Sequence, residues 1–544
     1  MKPKSQSFHH PVAVWLGCIA IVGGVLAHMP MFMMAAPMGY RMAGMPMDTT
    51  MLVGMAAIPV GLLLATFGLM PRLEQMRSML HGGHAQHFHV ADGVPLNREH
   101  WKLVSVLVVA LAVDVLKPAS LGFVMPGMTR EYSITTQTAG ILALVALTGT
   151  TVGSIAWGRL ADVFGRRAAI LLSALMFIGT AICGAMPSFE WNLAMCFLMG
   201  ASAGGLLPIT FTLMAEMIPA AHRGWLLVAL GGVGTSAGYL LAAGSAAVLE
   251  PIFSWRALWL LGLPTGLLIV FLDRFIPESP RFLANAGLHG EAHAVLTRYA
   301  GVYDGEGGEA GESAGASAVD VDERKKASAW ELMRGPHANI TYGLMVCGIA
   351  WGLANFGFLL WLPTNLRAMG LDASTATALL ARSAILAMPG IGVVIWLYHS
   401  WSSIKALVSF IALTSASLLA FFVMGLMGIH SPLAMVLATA ALLVSSSGVI
   451  AMLIPYAAEI YPVHLRGTGS GTIAACSKFG GILGALCGVL GLFGNLALSA
   501  LLIALPMAVS AVMLLRSGID TRGRRLEDIQ TAMANKKPSP AMSA

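Results

Sequence analysis

The sequence predicts an all-α polytopic membrane protein of two six-helix halves, twelve core helices in all, with two further helices added at the N-terminus. Three observations carry this. Apolar residues make up 57% of the chain and charged residues 11%, with a mean hydropathy of +0.77, against roughly 45–50% and about 25% in a soluble chain. Fourteen apolar runs are long enough to cross a bilayer as helices, which needs about 20 residues each, because unpaired backbone groups are not tolerated in lipid. Finally, one charged pattern, E-x-x-P-x-x-x-R-G, occurs twice, at Glu216–Gly224 and at Glu459–Gly467, 243 positions apart. Each copy closes one long apolar run and precedes the next. A signature repeated at equivalent points of two hydrophobic halves indicates parallel internal duplication.

In chain order, the two added runs lie near 11–29 and 51–70, so residues 1–70 form a hairpin. The first run, behind Lys2 and Lys4, also has the shape of a cleavable signal peptide; we read it as a span. Residues 71–101 connect the hairpin to the core. The first half, 102–275, holds runs near 102–125, 138–158, 167–186, 192–215, 225–249 and 256–275. A polar stretch, 276–337, joins the halves, and its Gly/Ala/Ser/Glu-rich centre, 304–318, has the composition of a disordered linker. The second half, 338–516, holds runs near 338–362, 374–397, 403–428, 432–456, 467–491 and 494–515, before a basic tail at 517–544.

With the N-terminus inside, alternation places 25 of the 32 Lys and Arg on the cytoplasmic side, 4 outside and 3 within spans. That is the positive-inside pattern, and it puts both termini in the cytoplasm. The pI of about 9.0 therefore reflects cytoplasmic loops rather than a nucleic-acid surface. The six cysteines all fall in spans without C-x-x-C spacing, as small packing residues do.

Between the second and third core spans lies Gly153-Ser154-Ile155-Ala156-Trp157-Gly158-Arg159-Leu160-Ala161-Asp162-Val163-Phe164-Gly165-Arg166-Arg167. Gly158 and Gly165 suit a close helix approach and a tight turn; Asp162, Arg166 and Arg167 suit ion pairs and helix ends. This stretch resembles the G-x-x-x-D-x-x-G-R-R loop of the major facilitator superfamily. Pro277-Glu278-Ser279-Pro280-Arg281-Phe282-Leu283 after the sixth core helix, with the repeated E-x-x-P-x-x-x-R-G, narrows the likeness. Together they look like the arm holding sugar porters, synaptic-vesicle-glycoprotein-like carriers and aromatic-acid/proton symporters. The resemblance covers roughly residues 100–516. It implies the major facilitator fold and a cytoplasmic latch in which Gly158, Asp162, Gly165, Arg166, Arg167, Glu216, Arg223, Glu459 and Arg466 act together.

The chain departs from that family at several points. The loop copy expected in the second half has decayed to Tyr398-His399-Ser400-Trp401-Ser402-Ser403-Ile404-Lys405. Where aromatic-acid symporters carry D-G-x-D in the first core helix, this chain reads Asp114-Val115-Leu116-Lys117. Cys196 stands where an arginine is usual, four residues before Gly200. The fifth core run lacks the G-P-x-x-G-G of drug exporters.

A charge at bilayer depth costs about 2.5–3.5 kcal/mol on insertion scales and so needs a reason. Four stand out: Asp114, Lys117, Arg382 and Lys478. Asp114 and Lys117, three apart on one helix, can pair directly. Three bases against one acid favour an anionic cargo, with Lys117, Arg382 and Lys478 as its contacts and Asn355 as a neutral one; Asp114, the one deep acid, is the expected proton-coupling residue. The bland alternatives are an internal ion pair, snorkelling for Arg382 and a packing amide for Asn355.

The loop of the added hairpin carries nine methionines in the 23 residues from Met29 to Met51. Its His28, Met29, Met31, Met33, Met42, Met45 and Met47 could ligate Cu(I), which thioethers suit; they also suit a flexible apolar filler. His81, His84, His87 and His89 are a separate candidate for metal binding, although flexible His-rich tracts often carry no such role.

The expectation from sequence is thus a secondary transporter in the inner membrane moving a small organic anion, a carboxylate, by alternating access with proton symport. No nucleotide-binding loop or resident cofactor is expected, and the chain is not expected to be an enzyme. The rivals are a copper or copper-complex transporter using the Met-rich loop, and a non-transporting sensor on the same fold.

Overall fold

The computed structural model describes residues 10–69, 94–285, 288–300, 332–333, 337–429, 431–461 and 463–521. Among them all regular structure is helical. Fourteen helices are long and apolar enough to cross a membrane. They are α1 (Pro11–Met34), α2 (Thr49–Leu69), α3 (Arg98–Glu131), α4 (Thr136–Ala161), α5 (Arg166–Ala185), α6 (Phe189–Met217), α7 (Ala221–Phe253), α8 (Ala257–Phe275), α9 (Ala338–Ala368), α10 (Ala373–Ser400), α11 (Ser403–Met427), α12 (Pro432–Ile460), α13 (Thr468–Val489) and α14 (Leu496–Ser517).

Helices α3–α8 and α9–α14 form the two halves. They meet where α7 packs on α10 and α12, and where α4 packs on α13. Several helices outrun their apolar cores. The 34 residues of α3 extend about 51 Å, well beyond a hydrocarbon layer of about 30 Å, so both ends project. Asn97 starts the helix with its side chain on the amides of Glu99 and His100. Beside it the polar linker helix His289–Ala300 docks: Asn97 donates to Tyr299 O, and Arg298 pairs with Glu99.

Small residues bring backbones together where lipid offers no hydrophobic drive between helices. A Cβ on Gly200 of α6 would lie 1.9 Å from Ala146 O of α4. Gly200→Ala should therefore cost about 1–3 kcal/mol, the range for overpacking. Gly244, with nothing within 4 Å of its Cβ position, is the control. Melting of Gly200→Ala well below Gly244→Ala in detergent is the expected result, and equal melting would contradict this packing.

The added hairpin closes on itself the same way: a Cβ on Gly17 would lie 2.5 Å from Gly61 O, and one on Gly24 2.6 Å from Gly54 O. It then packs against α5, where Ile58 meets Gly179. The first span is thus an integral part of the bundle. Its loop lends the metal-ligand expectation no support. Met31, Met42 and Met51 are buried with Phe32, Ala35 and Ala185, and Met29, Met45 and Met47 pack partly against them; Met33 is exposed. His28 is buried and bonded through Nδ1 to Gly24 O. These sulfurs fill a small apolar core, a use that their flexibility suits. Among the described residues no three His, Cys, Asp or Glu side chains are grouped to hold a metal; His81, His84, His87 and His89 lie outside the described residues.

Candidate functional site

Asp114 sits midway along α3, about 24 Å from either end, and is 4% exposed. Its Oδ1 has no hydrogen-bond partner among the described residues. The charged group that acts on it is Lys478, from the middle of α13 in the other half. Lys478 itself reaches back to α4, with Nζ 3.5 Å from Thr150 O. The two do not touch as an ion pair. An acid and a base from opposite halves therefore both sit at mid-depth, within electrostatic range of each other but not paired, and one oxygen of the acid has no partner among the described residues.

The expected Asp114–Lys117 pair is not formed. Lys117 is fully buried and donates to Phe177 O and Thr180 Oγ1, both at 2.8 Å, on α5, with Nζ 4.3 Å from the Phe177 ring centre. Residues three apart on a helix differ by about 60° in direction, enough to turn Lys117 into the wall of the first half while Asp114 faces α6 and α13. Its ammonium is engaged there, which speaks against the expected cargo contact at Lys117. The same holds for Arg382. It is exposed on α10 beside exposed Ile385 and Leu386, an outward side chain that snorkels. Asn355 lies in a π-helical turn, Leu353–Leu359, within α9; its Nδ2 donates to Ser446 Oγ of α12 at 2.7 Å, which makes it a packing amide.

At one face of the bundle the sequence motifs gather. Gly165 ends the α4 segment at φ +99°, a conformation that suits glycine alone, and a Cβ there would strike Glu278. Glu278 accepts the backbone N–H groups of Arg166 and Arg167, at 2.7 and 3.2 Å, and of Ser279. It thereby serves as the cap of α5, its oxygens accepting the free amides of a helix N-terminus. The Arg166 side chain pairs with Glu216 and that of Arg167 with Asp273. Arg223 donates to Ile218 O. Gly158 has open space around it, so it is not at a close helix approach, contrary to expectation. The side chains of Asp162 and Arg466 lie outside the described residues.

The second half keeps this capping logic although its loop motif has decayed. Asp520, after α14, accepts from Ser403 N and Oγ at the start of α11, as Glu278, after α8, does for α5. Thr521 and Tyr398 both donate to Glu459 Oε2. The other oxygen of Glu459 lies 3.2 Å from where a Gly224 Cβ would stand, and Trp225 faces His399 with ring centres 6.3 Å apart. Glu459 and the start of α7 thus meet across the boundary of the halves, while the Arg166–Glu216 and Arg167–Asp273 pairs lie within the first half rather than bridging to the second.

Burial raises the Glu278 carboxyl to about 7. With the folded value above the unfolded one, its contribution to stability is full below the unfolded pKa and is lost as pH rises through about 7. Glu278→Gln should flatten the change of melting temperature between pH 5 and pH 8. An unaltered slope would contradict the buried cap.

Sequence reasoning missed Asp273, Asp520, Thr521 and Thr150 as partners. Only Glu278 stood in a recognised motif; the others lie in no pattern and are found through contacts distant in sequence.

The sequence profile of the Major Facilitator Superfamily matches residues 104–485. The niacin transporter NiaP of Acinetobacter baylyi is 25% identical over 451 residues, covering 80% of this chain and 98% of its own. The 4-hydroxybenzoate transporter PcaK of Pseudomonas putida is 29% identical over 443 residues, covering 78% and 94%. Among solved structures, the xylose transporter XylE from E. coli, in a partially occluded inward open conformation, matches with a TM-score of 0.62 at 15% identity over 79% of this chain and all of its own, a likeness of fold.

Proposed function

Since the chain belongs to the major facilitator superfamily, we propose that it is a secondary transporter carrying a small organic anion, an aromatic monocarboxylate, together with a proton across the inner membrane. The observation that carries this reading is the placement of an acid, Asp114, and a base, Lys478, at mid-depth on opposite halves, within electrostatic range of each other. Charge there is costly and marks a cargo or ion path. A carboxylate entering between the halves accepts a hydrogen bond from Lys478 Nζ, and a proton on Asp114 replaces the charge that Lys478 no longer offers. Both events bear on groups held by different halves, so they bias the two halves' relative position, as alternating access requires. The relatives named for niacin and 4-hydroxybenzoate support the cargo class. Both are compact rings, and niacin and 4-hydroxybenzoate each bear one carboxyl.

Glu459, Gly224 and the capped ends of α5 and α11 supply the closing surface on the motif face. The positive-inside pattern makes this face, and both termini, cytoplasmic. Packing of the loop methionines into a core lends copper transport no support.

Counterflow of labelled nicotinate and 4-hydroxybenzoate in proteoliposomes tests the reading. Acids should compete and the matching amides should not. Competition by amides as strong as by acids would refute an anion site, and binding without any flux would make the protein a sensor.

A further inference from the structure

At the face opposite the motifs, a cavity of about 350 Å³ lies between the added hairpin loop and both halves of the core. Its lining includes Arg41 from the loop, Arg130 from α3, Glu250 from α7 and Arg367 from α9, with Trp255 and the start of α10. Only four Lys or Arg residues fall in the loops of this face by sequence, namely Arg41, Arg130, Arg256 and Arg367. Three of them line this cavity, and Arg256 stands behind it on Glu131.

The carboxylates of the cavity are already engaged. Glu131 takes Arg256, Trp255 Nε1 and the amides of Met42 and Ala43. Both oxygens of Glu250 accept from Arg367, at 2.7 and 2.8 Å. Asp372 caps α10 and holds the hydroxyls of Ser374 and Thr375, which keep its carboxyl below the usual range. Arg41 and Arg130 are exposed and form no ion pair among the described residues. The Arg367 side chain, only 6% exposed, leaves its Nε without a partner. Asp372 has no basic partner among the described residues, so Arg41 and Arg130 stand against its one negative charge and leave the cavity net positive, and the unmatched buried donor is the Nε of Arg367.

The loop presents Arg41 by construction. Tyr40, at φ +59°, stacks on Phe32 and meets the edge of Phe253. Met42, on the other side, is buried, and its amide is fixed to Glu131. One exposed arginine is left between two anchored neighbours, aimed by a segment that the twelve-helix core does not contain.

We propose that this cavity is a second carboxylate-binding site, a mouth site at which an aromatic monocarboxylate rests on Arg41 and Arg130 before reaching the midplane. The added hairpin supplies Gly39 and Arg41 of its lining. Its location beside the Glu250–Arg367 pair, which ties α7 to α9 across the boundary of the halves, also lets a bound carboxylate compete with Glu250 for Arg367. The ligand class rests on the organic-anion reading above; the site rests on its own lining.

The test uses the full chain in nanodiscs with Ala373→Cys, a substitution in the cavity wall, and the parent chain as background for the native cysteines. Modification by negatively and positively charged methanethiosulfonates is timed with and without benzoate or benzamide. The anionic reagent should react at least about tenfold faster than the cationic one, as a focused positive field produces. Arg41→Gln with Arg130→Gln should remove that preference. Benzoate should slow labelling in the parent background and not in the double variant, and benzamide should have no effect. Equal rates for the two reagents, or protection by benzamide equal to that by benzoate, would overturn the mouth site. Protection at Ala373→Cys without transport of any carboxylate would leave this site standing and refute the cargo reading; normal transport without protection would do the reverse.

Discussion

Asp114→Asn should abolish accumulation of substrate against its gradient while leaving counterflow exchange measurable. Asn keeps the size and a hydrogen-bonding oxygen but cannot gain or lose the proton. Asp114 is the acid that Lys478 acts on at mid-depth, and its Oδ1 has no partner to be lost. The substitution therefore removes the titratable group, while the amide oxygen of Asn can keep the contact with the Leu207 backbone. Exchange needs only the loaded carrier to move between its two states, which the neutral side chain permits. Loss of both activities together would show that Asp114 holds the fold or the cargo. Retained uphill uptake would place the coupling elsewhere.

The second large effect is expected at Lys478. Lys478→Met keeps the length and apolar stem and deletes the ammonium. Loss of a charged hydrogen bond costs about 1.5–3 kcal/mol, so the dissociation constant for an aromatic carboxylate should rise about ten- to 150-fold. Binding of the matching amide should change little, and that ratio separates a lost charge from a collapsed site. Lys117→Met is the contrast. Its ammonium is engaged by Phe177 O and Thr180 Oγ1, so this variant should lose stability before affinity. An unchanged acid-to-amide preference in Lys478→Met would refute the anion contact.

The spans, the duplication and the family were legible because they rest on local signals. Hydropathy needs only a window of about 20 residues, and E-x-x-P-x-x-x-R-G is contiguous. Glu278 was visible as part of a motif, yet its role was not, because the amides of Arg166 and Arg167 are brought to it by folding. The Asp114–Lys478 relation spans the whole core and leaves no trace in spacing. The Asp114–Lys117 expectation failed for a related reason. An i, i+3 pair shares a face only loosely, and α5 offered Lys117 two oxygens. Arg382 misled because hydropathy locates a residue in depth and not around the helix. The methionine loop misled because sulfur donors and apolar fillers are the same side chains, and only burial of Met31, Met42 and Met51 separates them.

The central claim is a proton-driven carrier of an aromatic carboxylate. Its most direct test is accumulation of labelled 4-hydroxybenzoate and nicotinate in proteoliposomes under an imposed proton gradient, acid outside, with a protonophore as control. The account predicts accumulation of at least one of these acids above equilibrium, collapse by the protonophore, and none for Asp114→Asn. Accumulation indifferent to the proton gradient, or driven uptake of a neutral sugar in place of either acid, would contradict it.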